Sequence, residues 1–435
     1  MAILRRLLAF VSPRGTFFWH VLIAGALALR FWGVIIFYRP SQLIYSDMHR
    51  HWDNAQNFLK PGPMGSANPW FYQWWLYTTR KLTNDAEYPM AFINLALSYL
   101  TMLFWYLLAR EVVKDRRVAL AYIAVMGLLP THVFVFMYYM SETLLLPLVG
   151  AGLWLAARAA KKRSPVRFLT SIAVWTMAVL TKSVAVPAAV FASAYALWFQ
   201  RKRWWPLLVA GAVGIMAIGF VPAAKHAYVH LHRYTVFGDG TNVAIYFASG
   251  ARDYQVTWGP KRGRRYTYVF SSPSYYISPF HPYKWRTKRQ GIVKFTLDPN
   301  EEGRDVRARF QQELVANKHK LPRLIFENFI FLSFGHNWPM AGLDNDLGKI
   351  CLKERVIWFP LILTSTIGAV ITLWRRIRPL PAITLLLTLA LYSAHMTVME
   401  GRYRKVIEPI VLLNVFWCFE RLVTWWRERR ARAVV

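Results

Sequence analysis

Between Tyr45 and Phe58 the chain reads YSDMHRHWDNAQNF, so Asp47, His49, Arg50, His51 and Asp53 fall in one short stretch directly after a long apolar run. A carboxylate at a boundary between apolar chain and water, beside aromatic rings, suits a general base. Burial raises its pKa toward working pH, and neighbouring cations lower it. Asp47 and Asp53 are six residues apart and do not share a helix face. Asp47 belongs at the turn itself. Ser46 or Asp47 also suits the N-cap of a helix continuing through WDNAQNF, and a cap can serve as a base as well. His49 and His51 lack the i, i+4 spacing of paired metal-binding histidines, so they read as hydrogen-bonding groups and no metal is expected.

Other stretches could share this chemistry. In YYMSETLLLPL, 138–148, Glu142 opens an apolar run, where an ionisable group facing lipid is costly. It either answers the helix dipole or faces the same cavity as Asp47. Lys182 sits at a tight turn between two short apolar segments, where it either snorkels or binds phosphate. HMTVMEGRYRKVIEPI, 395–410, clusters Glu400, Arg402, Arg404 and Lys405. Guanidinium forks bind phosphate oxygens in pairs, so this cationic cluster reads as a phosphate site. The alternative is snorkelling, or pairing with Glu400 and Glu408. NPWFYQWWLYTTRKL, 68–82, reads as an interfacial aromatic helix, or as a groove for a prenyl chain or a stacking surface for sugar rings.

These residues must be positioned by membrane helices. The chain has 435 residues and is 55% hydrophobic, and apolar windows long enough to cross a bilayer recur along it. Helices are the expected way to span. Ten spans are expected, at 16–38, 88–109, 118–138, 142–159, 167–181, 183–199, 205–224, 355–374, 379–397 and 405–425. The fold class is therefore all-α and polytopic. An N-terminal module, 1–224, carries a first outer loop at 39–87; an extracytoplasmic region covers 225–354; a C-terminal module, 355–435, ends in a basic tail. The second loop has turn-rich FGDGTN (237–242) and SSPSYYISPFHPY (271–283) and a charged helical candidate at 300–319. The segment 323–334 is too short to cross and reads as interfacial.

The formal charge of +32 does not point to nucleic acid. The Lys/Arg clusters sit between apolar runs, at 114–117, 161–163, 200–203, 375–378 and 427–432, and with the N-terminus inside they all fall on the cytoplasmic side. Such clusters also hold anionic lipid head groups. Cys351 and Cys418 are expected on a loop and in a span, with no disulfide and no metal-type spacing. The first apolar run, with no small-residue cleavage site after it, reads as a retained span.

Taken together, these stretches resemble the GT-C membrane glycosyltransferases, and most nearly the lipid A aminoarabinose transferases and protein O-mannosyltransferases. Those families carry an acidic motif in the first outer loop with an alanine about eight residues on, and here Asp47 precedes Ala55. Met48 stands where a second carboxylate is usual. SET, 141–143, is similar to the Ser/Thr-Glu that opens the family's fourth span; 221–250 looks like the segment leaving the seventh; EGRYRKVIEP is similar to the late Arg-Tyr-Arg pattern. The resemblance implies a sugar donor on a polyprenyl phosphate and an extracytoplasmic glycan, lipid or protein acceptor. Asp47 would be the base of an inverting transfer, with no cofactor. Substrate contacts would come from His51, Asp53, Glu142, Lys182, Arg402, Tyr403 and Arg404. It places the protein in a bacterial inner membrane with its site on the extracytoplasmic side. The alternatives are a ligase or polymerase using a lipid diphosphate-linked glycan, and a lipid transporter. A transporter would carry ionisable groups near mid-span, as only Arg30 does here.

Overall fold

The computed structural model describes residues 16–44, 47–59, 69–231, 248, 254–261, 264–270, 293–297, 303–334, 346–375, 380–395 and 404–433. Helix α1 (Thr16–Phe31) runs into a π-helical turn, Trp32–Phe37. Two helices of the first loop follow, α2 (Asp47–Gln56) and α3 (Trp70–Thr83). Then come α4 (Glu87–Val112), α5 (Arg116–Leu128), the short α6 (Pro130–Phe134), α7 (Ser141–Lys162), α8 (Pro165–Thr181), α9 (Val186–Trp198) and α10 (Trp205–Leu231). Beyond the second loop lie α11 (Gly303–Asn317), α12 (Leu321–Phe334), α13 (Asp346–Trp374), α14 (Leu380–His395) and α15 (Glu408–Ala433).

Each expected span falls on a helix except the third, which is broken in two. Among the described residues, five helices are long and apolar enough to cross a membrane, and a sixth span is formed if α5 and the segment 130–137 count together. The helices at 165–181, 183–198 and 382–391 are apolar but shorter. This is an integral membrane protein. The helical expectation for 300–319 is met by α11. To the all-α fold the second loop adds a three-stranded sheet in the order β2-β1-β3. Strand β1 (Tyr254–Lys261) pairs antiparallel with β2 (Arg264–Phe270) and parallel with β3 (Val293–Leu297). Strand β2 reads RRYTYVF, whose aromatic and β-branched residues are a strand signal that reading the loop as turns passes over. FGDGTN and SSPSYYISPFHPY lie outside the described residues.

The third expected span, 118–138, is not one continuous helix. Instead it bends by 70° between α5 and the segment that begins at Pro130. Proline brings no N–H to the ladder, so a helix breaks there. The break frees backbone groups, and buried backbone groups need partners. The Thr131 N–H donates to Glu354 Oε2 at 2.8 Å instead of to the preceding turn. Arg30, in the last turn of α1, supplies the missing donors. Its Nη1 donates to the His132 carbonyl at 3.0 Å and to Ser98 Oγ at 2.6 Å, and its Nη2 reaches the Gly127 carbonyl at 3.4 Å. Asn94 Nδ2 donates to the carbonyls of Phe136 and Tyr138. The mid-span arginine thus splints a broken helix. Close approach makes this possible, since a Cβ on Gly127 would lie 2.9 Å from Ala26 Cβ.

The two sequence halves share one interior. Helix α9 packs on α14, and α5 packs on α15. One buried cluster runs from Met102 and Trp105 of α4 through Trp175 of α8 to Trp358 of α13 and Trp417 of α15. A second is built from the π-helical turn, α2, α3, the start of α4 and the stretch 133–146. It holds the first-loop helices down at the end of the bundle where α4 and α7 begin.

Candidate active site

Asp47 is the first residue of α2. From there the helix presents a buried face, Met48, His51, Asn54, Ala55 and Phe58, to the rest of the molecule. Asp53 lies off that face and is exposed, as are His49 and Arg50.

Helix α3 lies against α2 and α8, with Tyr72, Gln73, Leu76, Thr79 and Arg80 buried. The reading of 68–82 as a plain aromatic anchor accounts only for its outer face. Gln73 Nε2 lies 2.7 Å from His51 Nδ1, and the His51 ring meets Tyr72 edge-on at 5.0 Å. Arg80 clamps the far side of α2. It donates to the Trp52 carbonyl at 2.7 Å, stacks over the Trp52 ring at 3.9 Å and forks onto Asp85.

Beneath α3 lies Glu142, fully buried in the first turn of α7. Its Oε1 accepts from Lys182 Nζ at 2.5 Å, and Ser141 Oγ donates to Oε2 at 3.1 Å. Lys182 follows the last residue of α8, where the chain turns into α9, and its side chain retains 15% exposure. A carboxylate with no solvent needs a cation, and this partly exposed lysine supplies it. Tyr72 adjoins both Glu142 and Thr143. Burial, and then the charge of Glu142, push its phenol well above the ordinary tyrosine range, so it stays protonated and can donate. Burial pushes Tyr139 up as well. The structure thus brings His51, Glu142 and Lys182 together around Tyr72 and Gln73, which the sequence reading did not single out. The distant aromatic run hid them: period alone does not show which ring faces inward.

Arg402 and Tyr403 lie outside the described residues. Arg404 sits inside the protein, at 1% exposure. Its Nε donates to Glu408 Oε1 at 2.8 Å and its Nη1 to the carbonyls of Leu332 and Ser333 at the end of α12. Lys405 donates to Glu408 Oε2 at 2.6 Å and to Thr131 Oγ1. His132 Nε2 lies 2.9 Å from Glu408 Oε2, and Glu354 takes both Thr131 groups and the Trp358 indole N–H. Of the readings open for this cluster, pairing with Glu408 is the one the geometry realises for Arg404. The segment 323–334, expected at the interface, belongs to α12, packs on α14 and helps hold this arginine.

Among the described residues no three His, Cys, Asp or Glu side chains converge as metal ligands would. Residues 67–227 match the family model described as dolichyl-phosphate-mannose-protein mannosyltransferase. The match takes in α3, Glu142 and Lys182, and excludes Asp47 and 402–404. It bears out the resemblance to GT-C membrane glycosyltransferases. No curated protein matches the chain. Among solved structures the chain is similar to the archaeal oligosaccharyltransferase AglB from Archaeoglobus fulgidus, in complex with an inhibitory peptide and a dolichol-phosphate. The identity is 12% and the TM-score 0.49. The alignment covers 96% of this chain and 51% of that one, so the chain spans about half its length.

Proposed function

We propose that this protein is a membrane glycosyltransferase that moves a sugar from a polyprenyl-phosphate donor to an extracytoplasmic acceptor with inversion at C1. The observation that carries this reading is the buried Glu142–Lys182 pair. It lies inside the segment matched to dolichyl-phosphate-mannose-protein mannosyltransferases and directly under the first-loop helices.

The mechanism this reading implies is a single inverting displacement. Asp47 takes the proton of the acceptor hydroxyl. The hydroxyl oxygen attacks C1, and the bond from C1 to the phosphate oxygen breaks with its electron pair. The lipid phosphate gains charge as it leaves, so a cation fixed beside it lowers the barrier. Lys182 takes this role, held by Glu142 and still partly exposed. Arg402 remains a second candidate phosphate contact, with Tyr403 beside it. Arg404 leaves that set because its Nε and Nη1 bind Glu408 and the end of α12. Asp53 contributes at most a solvent-side contact with the acceptor.

Lys182→Ala is expected to weaken binding of non-transferable polyprenyl phosphate and to slow transfer. A charge-assisted contact is worth about 1.5–3 kcal/mol, or about one to two powers of ten. Lys182→Arg keeps the charge and should retain part of the activity. Unchanged affinity and rate in Lys182→Ala would refute the phosphate role.

Sidedness is tested separately. With Asp53→Cys and Lys114→Cys placed in intact cells, an impermeant maleimide should label position 53 at once. It should label position 114 only after permeabilisation. The reverse pattern would put the site on the cytoplasmic face and contradict an extracytoplasmic acceptor.

A further inference from the structure

Three side-chain atoms around the contact between α2 and α3 are buried without a hydrogen-bond partner: Asn54 Nδ2, Gln73 Oε1 and Tyr139 Oη. Their residues are 8%, 1% and 2% exposed. Buried polar groups are nearly always satisfied, so a group of unmet ones calls for a ligand or for water.

They belong to one locality. Gln73 reaches His51 through its other amide atom, and Asn54 stands one turn beyond His51 on α2. The Tyr139 ring lies 5.1 Å from the Trp52 ring of the same helix. Tyr139 and Tyr72 act on each other electrostatically, and Tyr72 adjoins Glu142. The chemistry on offer is two amides and a phenol, uncharged and able both to donate and to accept, set beside aromatic rings. That combination suits the hydroxyls of a sugar ring. It does not suit an ammonium group: Asp53 is exposed, Asp85 is held by Arg80, Glu87 by Arg39 and Glu142 by Lys182, while Asp47 is kept for the acceptor proton.

We propose that Asn54, Gln73 and Tyr139 form the subsite that reads the hydroxyls of the transferred sugar, and that this sugar is neutral and carries no amine. The proposal rests on the donor reading above and names its substrate class.

The test compares affinities of the full-length protein in nanodiscs for undecaprenyl phosphate, undecaprenyl phosphate-mannose and undecaprenyl phosphate-4-amino-4-deoxyarabinose. Wild type should bind the mannose lipid about tenfold more tightly than the bare lipid phosphate, as a few neutral hydrogen bonds allow. It should show no such gain for the amino sugar. Asn54→Ala and Gln73→Ala should each shrink the mannose gain to about threefold or less while leaving affinity for the bare lipid phosphate unchanged. That second affinity also reports whether each variant is folded. Tyr139→Phe, which removes only the hydroxyl, should act in the same direction. An equal loss for both lipids would mean the residues are structural. An unchanged mannose gain would mean that water satisfies them. An amino-sugar gain as large as that for mannose would contradict neutrality. Each of these overturns the proposal and leaves the donor reading standing. If wild type fails to bind bare undecaprenyl phosphate, the donor reading falls and this one falls with it.

Discussion

Asp47→Asn is expected to lower sugar transfer by about a hundredfold or more, the usual loss when a general base is removed, with donor binding retained. Asparagine keeps the shape of aspartate and its ability to cap α2, so the helix should still begin where it does. What it lacks is a basic oxygen. Single-turnover transfer and donor affinity, measured on one preparation, separate chemistry from binding. Asp53→Asn is the internal control, since that side chain is exposed on another face of the same helix. If Asp53→Asn shows the larger loss, the base lies elsewhere on α2. If neither substitution slows transfer, the enzyme reading fails.

Glu408→Ala carries the largest expected effect on stability. Glu408 is fully buried and binds Arg404, Lys405 and His132 at once. Its removal leaves two cations in the interior without their shared anion. Breaking a buried pair from one side costs about 3–5 kcal/mol. The result should be a sharp fall in thermal stability in detergent and a loss of monodisperse protein. Glu408→Gln keeps hydrogen bonding without the charge and should fall between. Combining Glu408→Ala with Lys405→Met removes one stranded cation and should recover part of the stability, as coupled neighbours do. An unchanged melting temperature in Glu408→Ala would show that the cluster does not join α15 to the broken span.

What the sequence reveals here follows from the range of the interactions. Apolar runs of bilayer length specify spans locally, and so each expected span but the third has a helix in its place. Asp47 and Glu142 were legible because carboxylates at the ends of apolar runs are conspicuous. The bend at Pro130 was also readable in principle, but the apolar run continues past it and hides the break. Arg30 made no sense in sequence because its partners, Ser98, Gly127 and His132, are brought to it only by folding. The surroundings of Arg404 were hidden in the sequence for the same reason. Its cationic cluster resembles a phosphate site until Glu408, one helical turn along, is seen to take the charge. The unmet polar atoms of Asn54, Gln73 and Tyr139 have no sequence signature at all, because only packing shows which amides lack a partner.

The central claim is that a polyprenyl phosphate-linked sugar occupies the site between the first-loop helices and the Glu142–Lys182 pair. The most direct measurement is mass spectrometry of lipids that co-purify with the protein, with wild type compared to Lys182→Ala. A polyprenyl monophosphate carrying one sugar should be found on wild type and be strongly depleted from the variant. A lipid diphosphate oligosaccharide, or only bulk phospholipid in equal amounts on both proteins, would contradict the account.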